Sequence, residues 1–264
     1  MISRRRIVAV CCRYLYLYKR SAPRLMEIFY WPLLDLLLWG FMTLYMNKYK
    51  QDLPNFAAFI LGALILWDIL FRSQQGISVS FLEDVWSRNF LNLFASPLRP
   101  GEYLMSLMLM SIFKILAAAT VMCSLAWLFY SFDFFILGLS LIPFLLCLIM
   151  FGWAIGIITV SFILRFGQEA EILAWGIGLL FQPFSAVFYP ISVLPPFLQV
   201  FARAVPPSYV FEGMRQVITV GRFDVHSLAL ALALAAAYLG GSLLVFHFVF
   251  MSVRKKGLLT RIGE

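Results

Sequence analysis

The charged residues that could do chemistry are few, and most lie inside apolar runs. Asp35 stands in the run 27–46, Asp68 in 56–79 and Lys114 near the middle of 103–130. An isolated charge at membrane depth costs about 2.5–3.5 kcal/mol or more, so each of these needs a partner or water. Asp68 and Arg72, four residues apart, are expected to pair on one helical face. Asp35 and Lys114 form either an internal bridge or the polar lining of a pathway. Glu27, Asp35, Asp68 and Lys114 together would also suit an ion or proton relay, but such a transporter is expected to show repeated halves with helices broken at mid-membrane. No such repeat is visible. Catalysis finds no constellation either. His226 and His247 stand alone, and neither H-E-x-x-H, G-x-S-x-G nor the phosphate loop G-x-x-x-x-G-K-[ST] occurs. Cys11, Cys12, Cys123 and Cys147 lack zinc or redox spacing. No catalytic residue, metal site or cofactor of the chain's own is therefore expected.

The elements that must position these charges follow from composition. At 62% hydrophobic, 17% aromatic and 13% charged residues, the chain is far from the roughly 45–50% apolar and ~25% charged make-up of soluble domains. An all-α integral membrane protein is expected. Runs near the ~20 residues a spanning helix needs fall at 27–46, 56–79, 103–130, 134–164, 172–189 and 226–251. The fourth is long enough to tilt or bend, with Pro143 as the expected site. Six spans put both termini on one side. That side carries fifteen of the Lys and Arg residues, the opposite side five, and Lys114 is left inside a span. The positive-inside rule makes the termini cytoplasmic. The net charge of +8 is read the same way, as placement beside spans and not as a nucleic-acid surface. No cleavable signal peptide is evident, since Arg4, Arg5 and Arg6 lead into a mixed apolar and charged stretch.

Three segments outside the spans are informative. Residues 1–26 form a basic amphipathic stretch in which Ile7, Val8, Cys11, Tyr14, Leu15 and Tyr18 recur at helical spacing, with Arg13, Lys19 and Arg20 able to reach lipid phosphates. Residues 81–94 place Phe81, Leu82, Val85, Trp86, Phe90, Leu93 and Phe94 on one helical face, with Glu83, Asp84, Ser87, Arg88 and Asn92 on the other. This predicts a short amphipathic helix, either a headgroup anchor or a docking element. Residues 190–215 are apolar but carry Pro190, Pro195, Pro196, Pro206 and Pro207. No straight span tolerates that, whereas prolines at helix starts do no harm. A hairpin of two short helices entering and leaving the outer leaflet is expected, with Glu212 and Arg215 paired three residues apart. Gly152 and Gly156 have the spacing for close helix packing.

The pattern resembles the ABC-2 family of ATP-driven exporter permeases, which includes drug, nodulation-factor, teichoic-acid and O-antigen exporters. The likeness covers nearly the whole chain as one transmembrane domain, 1–264. It is carried by the basic N-terminus, the six spans, the Glu83-containing loop followed by "ASPLRP", and "LPPFLQVFARAVPPSYVFEGMR". The resemblance implies that 81–94 is a coupling helix docking in an ATPase through Glu83, Asp84, Val85, Trp86 and Arg88. It also implies that Pro195, Phe197, Phe201, Pro206, Tyr209, Glu212 and Arg215 belong to an external re-entrant gate. The expected partners are two copies of an ATPase that binds ATP and Mg, a second permease copy or a sibling, and membrane lipid. The expected location is a bacterial inner membrane. The exported substrate would be amphipathic, lipid-linked, saccharide or drug-like.

Overall fold

The computed structural model describes residues 3–49, 56–222 and 224–257. Among these the helices are α1 (Arg4–Arg20), α2 (Ala22–Tyr49), α3 (Phe56–Trp86), α4 (Phe90–Ala95), α5 (Pro100–Tyr130), α6 (Leu141–Phe166), α7 (Leu173–Leu180), α8 (Pro196–Ala204), α9 (Pro206–Val220) and α10 (Val225–Lys255), and no strand is formed. Among the described residues five stretches are long and apolar enough to cross a membrane: 22–46, 57–86, 100–130, 134–166 and 225–255.

The fifth expected span, 172–189, is not a continuous helix. α7 has 8 residues, about 12 Å of rise against a hydrocarbon core of ~30 Å. Pro183 explains the stop: it removes a backbone donor and disfavours helical geometry at Gln182. The chain then proceeds through turns and a single 3-10 turn at Ile191–Val193 before α8. In the fourth span the break falls at Gly138 (φ 55) and not at Pro143. Pro143 sits in the first turn of α6, where its missing donor has no partner to lose.

Packing fixes the direction of each helix. Gly152 of α6 faces Leu70 and Ser73 of α3, while Gly156 faces Gln74 and Ile77, so α3 and α6 run parallel. A Cβ on Gly152 would lie 2.6 Å from the Leu70 carbonyl oxygen, so only glycine lets the two backbones meet there. The glycine spacing thus serves packing within the chain. α10 also runs parallel to α6: the Cys147 thiol contacts the Ala231 carbonyl at 3.6 Å and the Phe151 and Tyr238 rings meet at 5.3 Å. α5 is antiparallel to α3, with Gly76 against Ser111 and Asp84 bonded to Tyr103. α6 and α10 begin at the same end of the bundle, so residues 167–224 carry the chain from one end to the other, first through α7 and then through irregular backbone.

Two buried apolar clusters divide the bundle lengthwise. One gathers Tyr14, Tyr18, Phe81, Leu82, Tyr103, Ile163, Phe246 and Phe250 at the end that carries α1, the basal end. The other gathers Leu36, Leu61, Phe132, Phe144, Phe211 and Leu228 at the distal end, under α9. α3 and α5, each 31 residues, are about 46 Å long and overrun a ~30 Å core. Residues near 80–86 and 102–106 hold their basal contacts.

Candidate functional site

At the basal end a buried carboxylate is saturated by three donors. Asp84, at 3% exposure, accepts from Arg13 Nη2 at 2.6 Å, the Tyr14 hydroxyl at 2.5 Å and the Tyr103 hydroxyl at 2.8 Å. Burial, followed by the Asp84 charge, pushes the Tyr14 phenol well above its ordinary value, so it stays a donor. Glu102 performs a similar service nearby. It accepts from the backbone N–H groups of Ser3 (2.8 Å) and Arg99 (2.9 Å) and pairs with Arg6 at 3.4 Å. Through these two acids α1 is tied to α5 at its start and to α3 and α5 at its middle. Its buried stripe is Ile7, Val10, Tyr14 and Tyr18; Val8 and Leu15, expected on the same face, are exposed.

The predicted helix over 81–94 is therefore divided. Residues up to Trp86 prolong α3, because Phe81, Leu82 and Val85 are buried against the bundle at 2% exposure or less. Arg88 adopts φ 52 and ends the helix, leaving α4 with six residues. Of the residues assigned to docking, Asp84 and Val85 face inward, and Glu83 pairs with Arg24 of α2 at 3.4 Å. Trp86 and Arg88 are exposed. Trp86 Nε1 donates to Glu171 Oε2 at 3.1 Å, just before α7. The end of α3 thus grips α2, α1 and the base of α7 through Glu83, Asp84 and Trp86 respectively.

Above this grip lies a cavity of about 390 Å³ walled by α2, α3, α5 and α7. Asp68, Phe71, Arg72, Gln75, Gly76, Val79 and Glu83 line it from α3 at helical spacing, forming one stripe. Trp31 and Asp35 face it from α2, Lys114 from α5, and Trp175 and Leu179 from α7. Asp68 and Arg72 pair at 2.8 Å, as their spacing predicts, near the middle of α3. Asp35 and Lys114 share the cavity without an ion pair between them. Lys114 donates to Ser80 Oγ at 3.0 Å and lies 4.9 Å over the Tyr18 ring. Asp35 is exposed on α2. The side chain of Glu27, the fourth acid of the alternative relay, lies outside the described residues. Gln74 fixes α7 to the stripe by donating to the Ala174 carbonyl at 3.0 Å; its role had no sequence signal beyond a polar residue in an apolar run.

At the distal end α8 starts at Pro196, with Pro195 as its N-cap, and α9 starts at Pro206. Phe197 and Phe201 are exposed on α8. The Tyr209 hydroxyl donates to the Arg203 carbonyl at 2.7 Å, and the Ser208 hydroxyl to that of Ala202 at 2.7 Å, closing the corner between the helices. Glu212 and Arg215 pair at 3.3 Å. Both also hold the irregular segment after α7: Glu212 accepts from the Ile191 N–H at 2.7 Å, and Arg215 donates to the Ala186 carbonyl at 2.8 Å.

A multi-span helical bundle with a charged cavity at mid-depth and a proline-started hairpin at one end defines a membrane permease domain. A family model for the ABC-2 type transporter matches residues 6–219, and the chain belongs to that family. No curated protein shows a significant match to the sequence.

Proposed function

We propose that the chain is the permease subunit of an ATP-binding-cassette exporter, moving an amphipathic, lipid-linked, saccharide or drug-like substrate outward through the cavity on α3. It works in a bacterial inner membrane with both termini cytoplasmic, as a homodimer or beside a sibling permease, with two copies of an ATPase that binds ATP and Mg. The family supports the class, and the Lys and Arg asymmetry supports the orientation, which makes the basal end cytoplasmic. An ion-coupled mechanism is not favoured.

The observation that carries the reading is the linkage at the end of α3. Glu83 holds Arg24 on the helix that presents Trp31 and Asp35. Trp86 holds Glu171 at the base of the helix that presents Trp175 and Leu179. Both cavity walls are thus tied to one helix end, next to the exposed Arg88 turn and α4. Closure of an ATPase dimer against that turn would displace the end of α3, with α1 following through Asp84, and shift α2 and α7 together. Two arrangements with different ATP affinity are sufficient for transport. Docking then rests on Trp86, Arg88 and α4, while Glu83 and Asp84 transmit. At the other end the α8–α9 hairpin acts as an external re-entrant lid carrying Phe197, Phe201 and Tyr209.

The test is purification of the tagged permease from its native membrane, with identification of any ATPase that accompanies it. A stable complex is expected, with Arg88→Glu lowering its yield and Trp86→Phe preserving the complex while uncoupling hydrolysis from transport. Substrate flux driven by a proton gradient, with no ATPase bound, would overturn the proposal.

A further inference from the structure

Asp35 sits near the middle of α2, the span 22–46, and its side chain is exposed. Carboxylates at that depth face a partner or a water-filled cavity, and the other charges of this cavity have theirs. Arg72 carries Asp68 at 2.8 Å and Arg24 carries Glu83 at 3.4 Å. Lys114 is held by the Ser80 hydroxyl and the Tyr18 ring. Asp35 feels the Arg72 charge only through space, and among the described residues it makes neither a hydrogen bond nor an ion pair. One helical turn before it, Trp31 is 60% exposed on the same face, and Trp175 and Leu179 stand on the facing wall. An anionic group placed among apolar and aromatic side chains has the chemistry of a site for an organic cation with an apolar body: the carboxylate supplies the counter-charge, the indole faces attract the cation, and the apolar rim covers the rest. A volume of about 390 Å³ suits a small amphiphile, within the roughly 300–1,000 Å³ typical of ligand sites.

We infer that the cavity recognises lipophilic cations through Asp35, with Trp31 and Trp175 as the aromatic walls. This rests on the permease reading for its physiological meaning, but the binding itself does not require an ATPase.

The probe is tetraphenylphosphonium, with tetraphenylborate as its anion of nearly the same size and shape. Binding to the permease alone, in nanodiscs of zwitterionic lipid, is read with a tetraphenylphosphonium-selective electrode after subtracting empty nanodiscs. Saturable binding is expected, weakened at least tenfold by Asp35→Asn and less than threefold by Asp35→Glu, with no saturable binding of tetraphenylborate measured in a separate sample without the cation. Unchanged thermal unfolding of Asp35→Asn shows that the loss is local. If that variant does not fold, Trp31→Leu decides: a loss of threefold or more supports the site, and wild-type affinity overturns it. Equal affinity in wild type and Asp35→Asn, or equal affinity for the anion measured alone, also overturns it. So does a change of oligomeric state in Asp35→Asn with cation binding intact, which would make a second copy the partner of Asp35. Cation binding by a permease that co-purifies with no ATPase would sink the exporter reading alone; an active complex with no cation site would sink only this inference.

Discussion

Asp84 and Asp35 are both aspartates on long apolar helices, yet their surroundings are opposite. Asp84 is 3% exposed and accepts from an arginine and two tyrosines. Asp35 is exposed on a cavity wall and accepts from no described residue. A buried carboxylate whose two oxygens both accept hydrogen bonds is a joint, and its energy goes into holding α1, α3 and α5 in one arrangement. A carboxylate with no partner among the described residues holds no such joint, and the proposed cation site gives it a role. On that proposal the basal and central regions divide the work between transmission and recognition.

The contrast is broken most severely at the joint. Asp84→Ala strands the Arg13 guanidinium and two phenols, and removing one partner of a buried pair costs about 3–5 kcal/mol; thermal unfolding in detergent should show a large fall in midpoint or no folded protein. A small effect there would mean that α1 is held by its apolar stripe alone. Next in size is Gly152→Ala, whose new methyl would lie 2.5 Å from Ser73 Cβ and 2.6 Å from the Leu70 carbonyl. Overpacking of that kind costs about 1–3 kcal/mol. Gly241→Ala on α10 meets nothing within 4 Å and should instead gain up to ~1 kcal/mol from helix propensity. Glu212→Gln keeps an acceptor for Ile191 but removes the charge from a partly exposed pair, so the expected loss is about 1 kcal/mol or less, read by the same unfolding assay. Smallest of all is Asp35→Asn, expected to change stability by less than about 0.5 kcal/mol. A loss as large as that of Asp84→Ala would make Asp35 a second structural joint and erase the contrast.

Much of this arrangement is legible in the residue pattern. Pro196 and Pro206 mark helix starts because a first-turn proline loses no bond, and Asp68 with Arg72 or Glu212 with Arg215 are local pairs that spacing alone brings together. What the pattern leaves out is long-range. The stripe from Phe81 to Phe94 reads as one helix because an apolar face has the same periodicity whether it belongs to an isolated amphipathic helix or to the end of a buried span; only the turn at Arg88 separates the two. Tyr14, Tyr103 and Asp84 lie far apart in the chain, and nothing in their spacing announces a shared site. Asp35 and Lys114 look like complementary charges, but Ser80 and Tyr18 hold the lysine from helices that the sequence does not align. Pro183 stands within the fifth apolar run, and its effect on the preceding residue accounts for the shortness of α7. Glu102 carries a weaker signal, an acid in the first turn after Pro100, where exposed backbone donors favour it.

The central claim is that the cavity on α3 is the transport pathway and that its walls move with the ATPase cycle. It is tested most directly by thiol accessibility of Asp35→Cys in a chain whose native cysteines, Cys11, Cys12, Cys123 and Cys147, are replaced by alanine. The permease is assembled with its ATPase and exposed to a membrane-impermeant methanethiosulfonate reagent, with and without ATP trapped by orthovanadate. The account predicts that the introduced thiol reacts in the resting state and that trapping changes its rate at least several-fold. A thiol that stays unreactive from both faces of the membrane in every nucleotide state would contradict it.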